Sequence, residues 1–448
     1  MNNNINSKEQ KHTSEEIYKQ ACNVLPGGVS RNTIFRKPHP FYVSNASGCH
    51  VTDIDGIQRI DFANNMASLI HGHANPQIVE GVIEQLKKGT AYTMATEAEV
   101  AFAQLMCNRV PNFDKIRFMN SGTEAVMAMI KASRAYTSRP KIAKAEGAYH
   151  GTYDFAEVSQ TANPTNWGGI NKPNSVPLAN GTPQSVLDDV IIFPFNDIER
   201  TISILDEHAN DIACILIDPV PHRVGLIQAH TDFVEAMYNW TRKNGALLVF
   251  DEVVTLRVNY SGTQNDYSAK PDLTAMGKMI GGGFPVGALA GRADVMKVLD
   301  PSESKLLFPH SGTFSANPIT MTAGRIAMEL FDEDAVIKLN ALAQKAISQI
   351  SEAIKLVDVP ISITGAGSMF RIHLTATPPT TYREAFQTKE KTMLIKKLLD
   401  YLFINERIMM VNTCTCMFST AITQKEVDIL SDAMFNGFKL IKPELENI

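Results

Sequence analysis

Lys278 stands in the stretch Pro271-Asp272-Leu273-Thr274-Ala275-Met276-Gly277-Lys278-Met279-Ile280-Gly281-Gly282-Gly283, where a short apolar run leads into the lysine and a triple glycine follows. Upstream, the apolar run Ala246 to Phe250 ends abruptly in Asp251-Glu252. An amine on a turn and an acid at a strand's carboxyl end are the pair that pyridoxal phosphate (PLP) chemistry requires. The amine forms the Schiff base and the acid keeps the pyridine nitrogen protonated. A Gly-Lys pair in a glycine loop is, by itself, more often a surface lysine. The weight rests on what accompanies it.

Four further motifs sit at strand ends or just past them. Asn120-Ser121-Gly122-Thr123-Glu124-Ala125 follows one strand and opens a helix. Small residues there let backbone N–H groups and hydroxyls wrap a phosphate at the positive end of the helix dipole. The same residues also suit a plain cap by Ser121 or Thr123. In Gly147-Ala148-Tyr149-His150-Gly151 the tyrosine can stack on a planar ring, or serve as a core residue in a tight turn. His310-Ser311-Gly312-Thr313-Phe314-Ser315-Ala316-Asn317-Pro318 offers hydroxyls to a phosphate, or simply caps a helix. Asp218-Pro219-Val220-Pro221-His222-Arg223-Val224-Gly225 follows another strand and would line the same crevice, although Arg223 also suits a surface ion pair. Other chemistries fail on spacing. Gly277-Lys278-Met279 lacks the upstream glycine and the Ser or Thr of a P-loop, and the triple glycine is no dinucleotide fingerprint. No Gly-x-Ser-x-Gly elbow is present. His71-Gly72-His73 has no third ligand spaced for a metal, and none is expected.

Positioning these groups requires a sheet. Strands are expected at Lys115 to Met119, Lys141 to Lys144, Val190 to Phe193, Ile212 to Ile217, Ala246 to Phe250, Leu273 to Met276 and Val286 to Ala290. Helical stretches such as Glu124 to Tyr136, Ile198 to His208 and Thr231 to Lys243 lie between them. The alternation argues for an α/β fold, a mostly parallel sheet of seven strands with helices on both faces. Ligands in such sheets bind beyond the carboxyl ends of the strands. Ala162 to Val186, rich in Asn, Pro, Gly and Thr, has no period and is too long for a routine connection. After about residue 330 the pattern becomes a smaller α+β domain, with a helix at Asp334 to Leu356 and strands near Met369 to Leu374, Met409 to Val411 and Met417 to Thr420. The expected division is 1–63 as an N-terminal segment serving the small domain and a dimer, 64–330 as the large domain and 331–448 as the small one.

The chain has 448 residues, 44% hydrophobic, with a net charge of -5. That supports a large core and more than one domain. No basic block or arginine stripe invites nucleic acid, and no run of 18 or more apolar residues spans a membrane. Met1 to Ser14 is polar, lacks a secretory apolar stretch and reads as a frayed start. Six scattered cysteines are too sparse for a disulfide framework. Cys414 and Cys416 read as alternate residues of one strand. A reduced, cytoplasmic protein is the simplest account.

Together, in this order, the motifs resemble class III aminotransferases of PLP fold type I, in the group that contains glutamate-1-semialdehyde aminomutase. The likeness runs from about Tyr18 to Lys439. It is strongest at Leu25-Pro26-Gly27-Gly28-Val29, Asn120 to Ala125, Gly147 to Gly151, Phe250 to Thr255, Gly277 to Gly287 and Ser311 to Asn317. The resemblance implies that Lys278 is the Schiff-base lysine and the proton-transferring base, and that Asp251 partners the pyridine nitrogen. It places Val253 and Tyr149 on the two ring faces, with His150 beside them, and gives the phosphate to Ser121, Gly122 and Thr123. Thr313 would reach the phosphate of a neighbouring subunit's cofactor, which implies a homodimer with shared sites.

The substrate is read from Arg31. Pro26 to Phe35 resembles the β-amino-acid transaminases of this group, where an arginine here grips the substrate carboxylate; a bidentate guanidinium suits that task. Those enzymes carry a second carboxylate-binding arginine on a C-terminal loop, and Thr413 occupies that place here. Arg223 is the candidate replacement. The expectation is transfer of an amino group from a β-amino acid to a 2-oxo acid. A glutamate-1-semialdehyde-type aminomutase is the alternative, since Ala162 to Val186 resembles that enzyme's gating loop, and a racemase of the same fold is a third option.

Overall fold

The computed structural model describes residues 12–448. Most of the expected frayed start lies outside the described residues. Within them, Thr13 caps a helix, Ser14–Ala21, through a capping box with Glu16. That helix stops short of Pro26 because Leu25, the residue before the proline, is extended (φ -125°, ψ 135°).

The middle of the chain builds one seven-stranded sheet. Its strands are β1 (Lys115–Met119), β2 (Lys141–Ala145), β3 (Val190–Phe193), β4 (Ile212–Ile217), β5 (Leu247–Asp251), β6 (Leu273–Gly277) and β7 (Gly287–Gly291). In space the order is β1-β7-β6-β5-β4-β2-β3. Every pair is parallel except those of β7, which runs antiparallel to both neighbours. All seven strands fall where the apolar runs predict them. The reason is burial on both faces: every residue of β4 and β5 is buried, as continuous Ile/Leu/Val runs require. Alternate side chains serve opposite layers. Leu216 and Val249 pack with Ala125, Val126 and Met129 of the helix Gly122–Thr137, while Ile215, Ile217, Leu248 and Phe250 pack with Phe233, Val234 and Met237 of Thr231–Asn244.

The C-terminal part holds a long helix, Glu333–Val357, and an antiparallel sheet of β8 (Ser362–Ala366), β9 (Met369–His373) and β10 (Thr415–Met417) in that order. Two expected strands shift. The piece expected at Met409 to Val411 is Ile408–Met409, which joins the N-terminal strands Val43–Ser47, His50–Asp53 and Gln58–Asp61 through parallel pairing with the last. The strand expected at Met417 to Thr420 is β10, two residues earlier. Cys414 adopts φ 58° in the turn before β10, so it and Cys416 are not alternate residues of one strand, although both are buried. All six cysteines are free.

The segment Ala162 to Val186 is less structureless than its composition implies. Gly168–Gly169 pairs with Lys172–Pro173, and a short helix begins at Gln184. Among the described residues no helix is long and apolar enough to cross a membrane.

Candidate active site

Three neighbouring parallel strands end at one cavity. β4 delivers Asp218, β5 delivers Asp251 and β6 delivers Lys278 immediately after its last residue. The turn after β2 adds Tyr149 and His150, and the start of the helix Gly122–Thr137 adds Ser121, Gly122 and Thr123. Val253 lines the same wall. The cavity measures about 140 Å³, roughly ten times what one ordered water needs. Lys278 holds φ 49°. A non-glycine residue in the left-handed region is strained by roughly 1–3 kcal/mol, and such strain gathers at functional sites.

The phosphate end is a helix start with donors to spare. Ser121 Oγ accepts from Glu124 N at 3.1 Å, and Glu124 Oε2 accepts from Asn120 N at 2.6 Å. The N–H groups of Gly122 and Thr123, first in the helix, have no partner among the described residues. Two such N–H groups with two neighbouring hydroxyls form a set that suits phosphate oxygens. A Cβ at Gly122 would lie 2.8 Å from Val253 Cγ1, so only glycine lets this wall close. The donor set, the acid and the amine all fit PLP.

At the opposite end both oxygens of Asp251 are held. Oδ1 accepts from Val253 N at 3.0 Å, and Oδ2 lies 2.8 Å from His150 Nδ1. Burial keeps the pKa of His150 below its ordinary value against the pull of Asp251, so the ring is neutral and Nδ1–H donates. His150 Nε2 is buried without a partner. Burial also lowers the pKa of Lys278, opposed by Asp251 and Asp218. Asp218 moves the other way: burial, then the charge of Asp251, push its pKa well above its ordinary value, opposed by Lys278. Its Oδ1 accepts from Val220 N at 3.0 Å.

The remaining expected residues lie elsewhere. Arg31 Nη1 donates to Asn65 Oδ1 at 2.7 Å and Arg31 is not among the cavity's lining residues. Arg223 stands at the cavity's edge, its guanidinium carbon 5.1 Å from the centre of the Tyr149 ring. Thr313 is exposed and away from the cavity of its own chain. Asp218 and His222 belong to a stretch expected to line the crevice, with no role assigned to either; both line the cavity. The signal was there in Asp218, an acid at the end of a fully apolar strand, as Asp251 is.

The family model Aminotransferase class-III matches residues 34–395. Glutamate-1-semialdehyde 2,1-aminomutase of Methanothermobacter thermautotrophicus is 36% identical over 414 residues, covering 92% of this chain and 95% of that protein. Among solved structures, an ω-transaminase from Sphaerobacter thermophilus superposes with a TM-score of 0.93 at 42% identity, covering 96% of this chain and 98% of the other. A β-phenylalanine aminotransferase from Variovorax paradoxus gives 0.85 at 29%, covering 96% and 94%. The chain belongs to the class III aminotransferases and is a PLP-dependent enzyme of that family.

Proposed function

We propose that this enzyme moves an amino group from an amino acid, by preference a β-amino acid, to a 2-oxo acid. The observation that carries the reading is Arg223, a cation over the Tyr149 ring with neither a hydrogen bond nor a carboxylate partner among the described residues. A guanidinium left open over Tyr149, which lines the cavity of Lys278, fits an acid substrate. The likeness to an ω-transaminase and to a β-phenylalanine aminotransferase supports an amine placed away from the α-carbon.

In this reading Ser121, Gly122 and Thr123 would hold the cofactor phosphate, and Asp251 would keep a proton on the ring nitrogen. Tyr149 and Val253 enclose the ring. When bound, PLP supplies the electron sink that stabilises the carbanion left by proton loss. Lys278 Nζ would anchor the cofactor and, when free, would serve as the base toward the amine-bearing carbon. Its lowered pKa makes the neutral amine available at lower pH than for an ordinary lysine. Arg31 and Arg223 are the candidates for the substrate carboxylate.

The aminomutase reading is favoured by the 36% identity to the archaeal enzyme. Against it stands the tethering of the segment that would gate such a reaction. Tyr382 Oη donates to Ala162 O at 2.5 Å, and Arg383 donates to Gly168 O at 3.0 Å and to Trp167 O at 3.2 Å.

Further proposals follow from the same reading. The division at 1–63, 64–330 and 331–448 is supported by the N-terminal strands pairing with Ile408–Met409. A homodimer is supported by the exposure of Thr313 beside Phe314, which is 60% exposed.

A half-reaction screen tests the function. The holoenzyme is mixed with α-, β- and ω-amino donors while its visible band is followed. Loss of the band with release of a keto acid is expected for β-amino acids. Isomerisation of product without net conversion would favour the mutase, and deuterium wash-in with racemisation the racemase. Lys278→Ala should abolish the band of the lysine-bound cofactor; its survival would overturn the central assignment.

A further inference from the structure

His222 presents its imidazole to the cavity that also holds Lys278. Neither ring nitrogen has a hydrogen-bond partner among the described residues. Its backbone is gripped from behind by the C-terminal sheet. Arg371 Nη1, on β9, donates to His222 O at 3.1 Å. Two residues further along the same strand face, His373 Nε2 lies 3.2 Å from Gly225 O, which also accepts from Thr364 Oγ1 of β8. Arg223 lies between these two anchor points. Its guanidinium, over the Tyr149 ring, has no carboxylate partner among the described residues. Arg371 is 5% exposed and, among the described residues, makes no ion pair and leaves its Nε buried without a partner.

The charge here is one-sided. Burial, followed by the nearby Arg371, Arg223 and Lys278, drives the pKa of His222 down to about 3. The ring is neutral at every working pH, with one N–H to donate. The cavity's carboxyl groups belong to other work. Asp251 is spent on Val253 N and His150, and Asp218 Oδ1 accepts from Val220 N. A neutral N–H donor flanked by unanswered guanidinium groups is a surface for an anion. An uncompensated buried cation is costly, and a bound carboxylate would offset that cost.

We propose that His222, with Arg223 beside it and Arg371 holding its backbone, forms the subsite that takes the substrate carboxylate. His222 and Arg223 touch the anion; Arg371 is a positioning residue. The ligand class is an organic acid whose carboxylate lies a few bonds from the amine. The inference rests on the aminotransferase reading for the amine, but binding of the acid does not depend on which reaction follows.

The test is therefore a binding measurement on the PLP-loaded enzyme with an acid that cannot react. 3-Phenylpropionate carries the carboxylate and lacks the amine; 3-phenylpropanamide is its neutral counterpart. Calorimetric titration of wild type should detect the acid at least tenfold more tightly than the amide. His222→Phe, which keeps a ring and loses the N–H, should weaken the acid tenfold or more and leave the amide unchanged. Arg371→Lys should give an intermediate loss for the acid alone, and Arg371→Met a larger one. Equal weakening of acid and amide in His222→Phe would mean a merely structural role and would overturn the proposal. So would wild-type discrimination that survives both His222→Phe and Arg223→Gln. If the subsite is confirmed but no donor discharges the cofactor's band, the function reading fails while this one stands.

Discussion

Asp251 and His150 show how a single carboxylate is prepared for one task. Val253 N and the neutral His150 occupy both oxygens, and the pair sits at 5% and 1% exposure. Water cannot compete there, so the negative charge is available to whatever faces the cavity. Asp251→Asn keeps the volume and removes the charge. Turnover of any active donor should fall by about 10²–10³, the scale of losing one preorganised electrostatic group, with little change in cofactor phosphate binding. A loss under tenfold would show that the carboxylate does not tune the ring. This much of the site was legible in the sequence because Asp251 breaks a fully apolar strand and Lys278 follows another. Arg31, which its motif points toward the substrate, donates to Asn65 in this structure. His222 went unassigned because nothing local marks it. Its importance comes from Arg371, 149 positions away, and that separation leaves no periodic trace.

The turn Glu146 to Gly151, which carries Tyr149 and His150, is an element built from behind. Lys144 Nζ, fully buried, donates to Ala148 O at 2.9 Å and Val158 O at 2.6 Å. Arg383 forks both oxygens of the buried Glu146 at 2.8 and 2.9 Å. A Cβ at Gly147 would overlap Tyr382 at 2.1 Å, and φ there is 75°, so glycine is required twice over. Burial lowers the pKa of Lys144 from 10.5 to about 7. Between those values the unfolded chain binds a proton that the folded chain does not, so this amine adds stability as pH rises and withdraws it as pH falls toward about 7. Lys144→Met should flatten the dependence of the denaturation midpoint on pH across that window, measured on the holoenzyme beside wild type. An unchanged slope would show that Lys144 is charged throughout. The strands of the large sheet were readable because burial on both faces leaves an unbroken apolar run. β10 was misplaced for the opposite reason: three residues after a left-handed Cys414 carry too little pattern to fix a boundary.

At the scale of the whole molecule, Thr313 is the residue whose expected role reaches beyond its own chain. Thr313 is exposed and absent from the cavity, yet the motif around it resembles a phosphate-binding turn. Its neighbourhood in the chain is apolar and open: Leu306 is 37% exposed, Leu307 47% and Phe314 60%, with Tyr92 at 48% and Met94 at 82% on another loop. Large exposed apolar side chains of this number suit a second subunit better than water. A two-fold dimer would carry Thr313 of each chain to the partner's phosphate end, beside the Gly122 and Thr123 N–H groups. Mixed dimers decide the matter. Lys278→Ala and Thr313→Ala each damage both sites of a homodimer. In a dimer made of one chain of each kind, shared sites concentrate both defects in one pocket and leave the other wild type. Co-refolded mixed dimers, isolated by distinct tags, should therefore recover half the wild-type turnover and one PLP site of wild-type affinity. If each chain used its own Thr313, no intact pocket could form, the mixed dimer would perform no better than the Thr313→Ala chain within it, and the shared-site reading would be wrong.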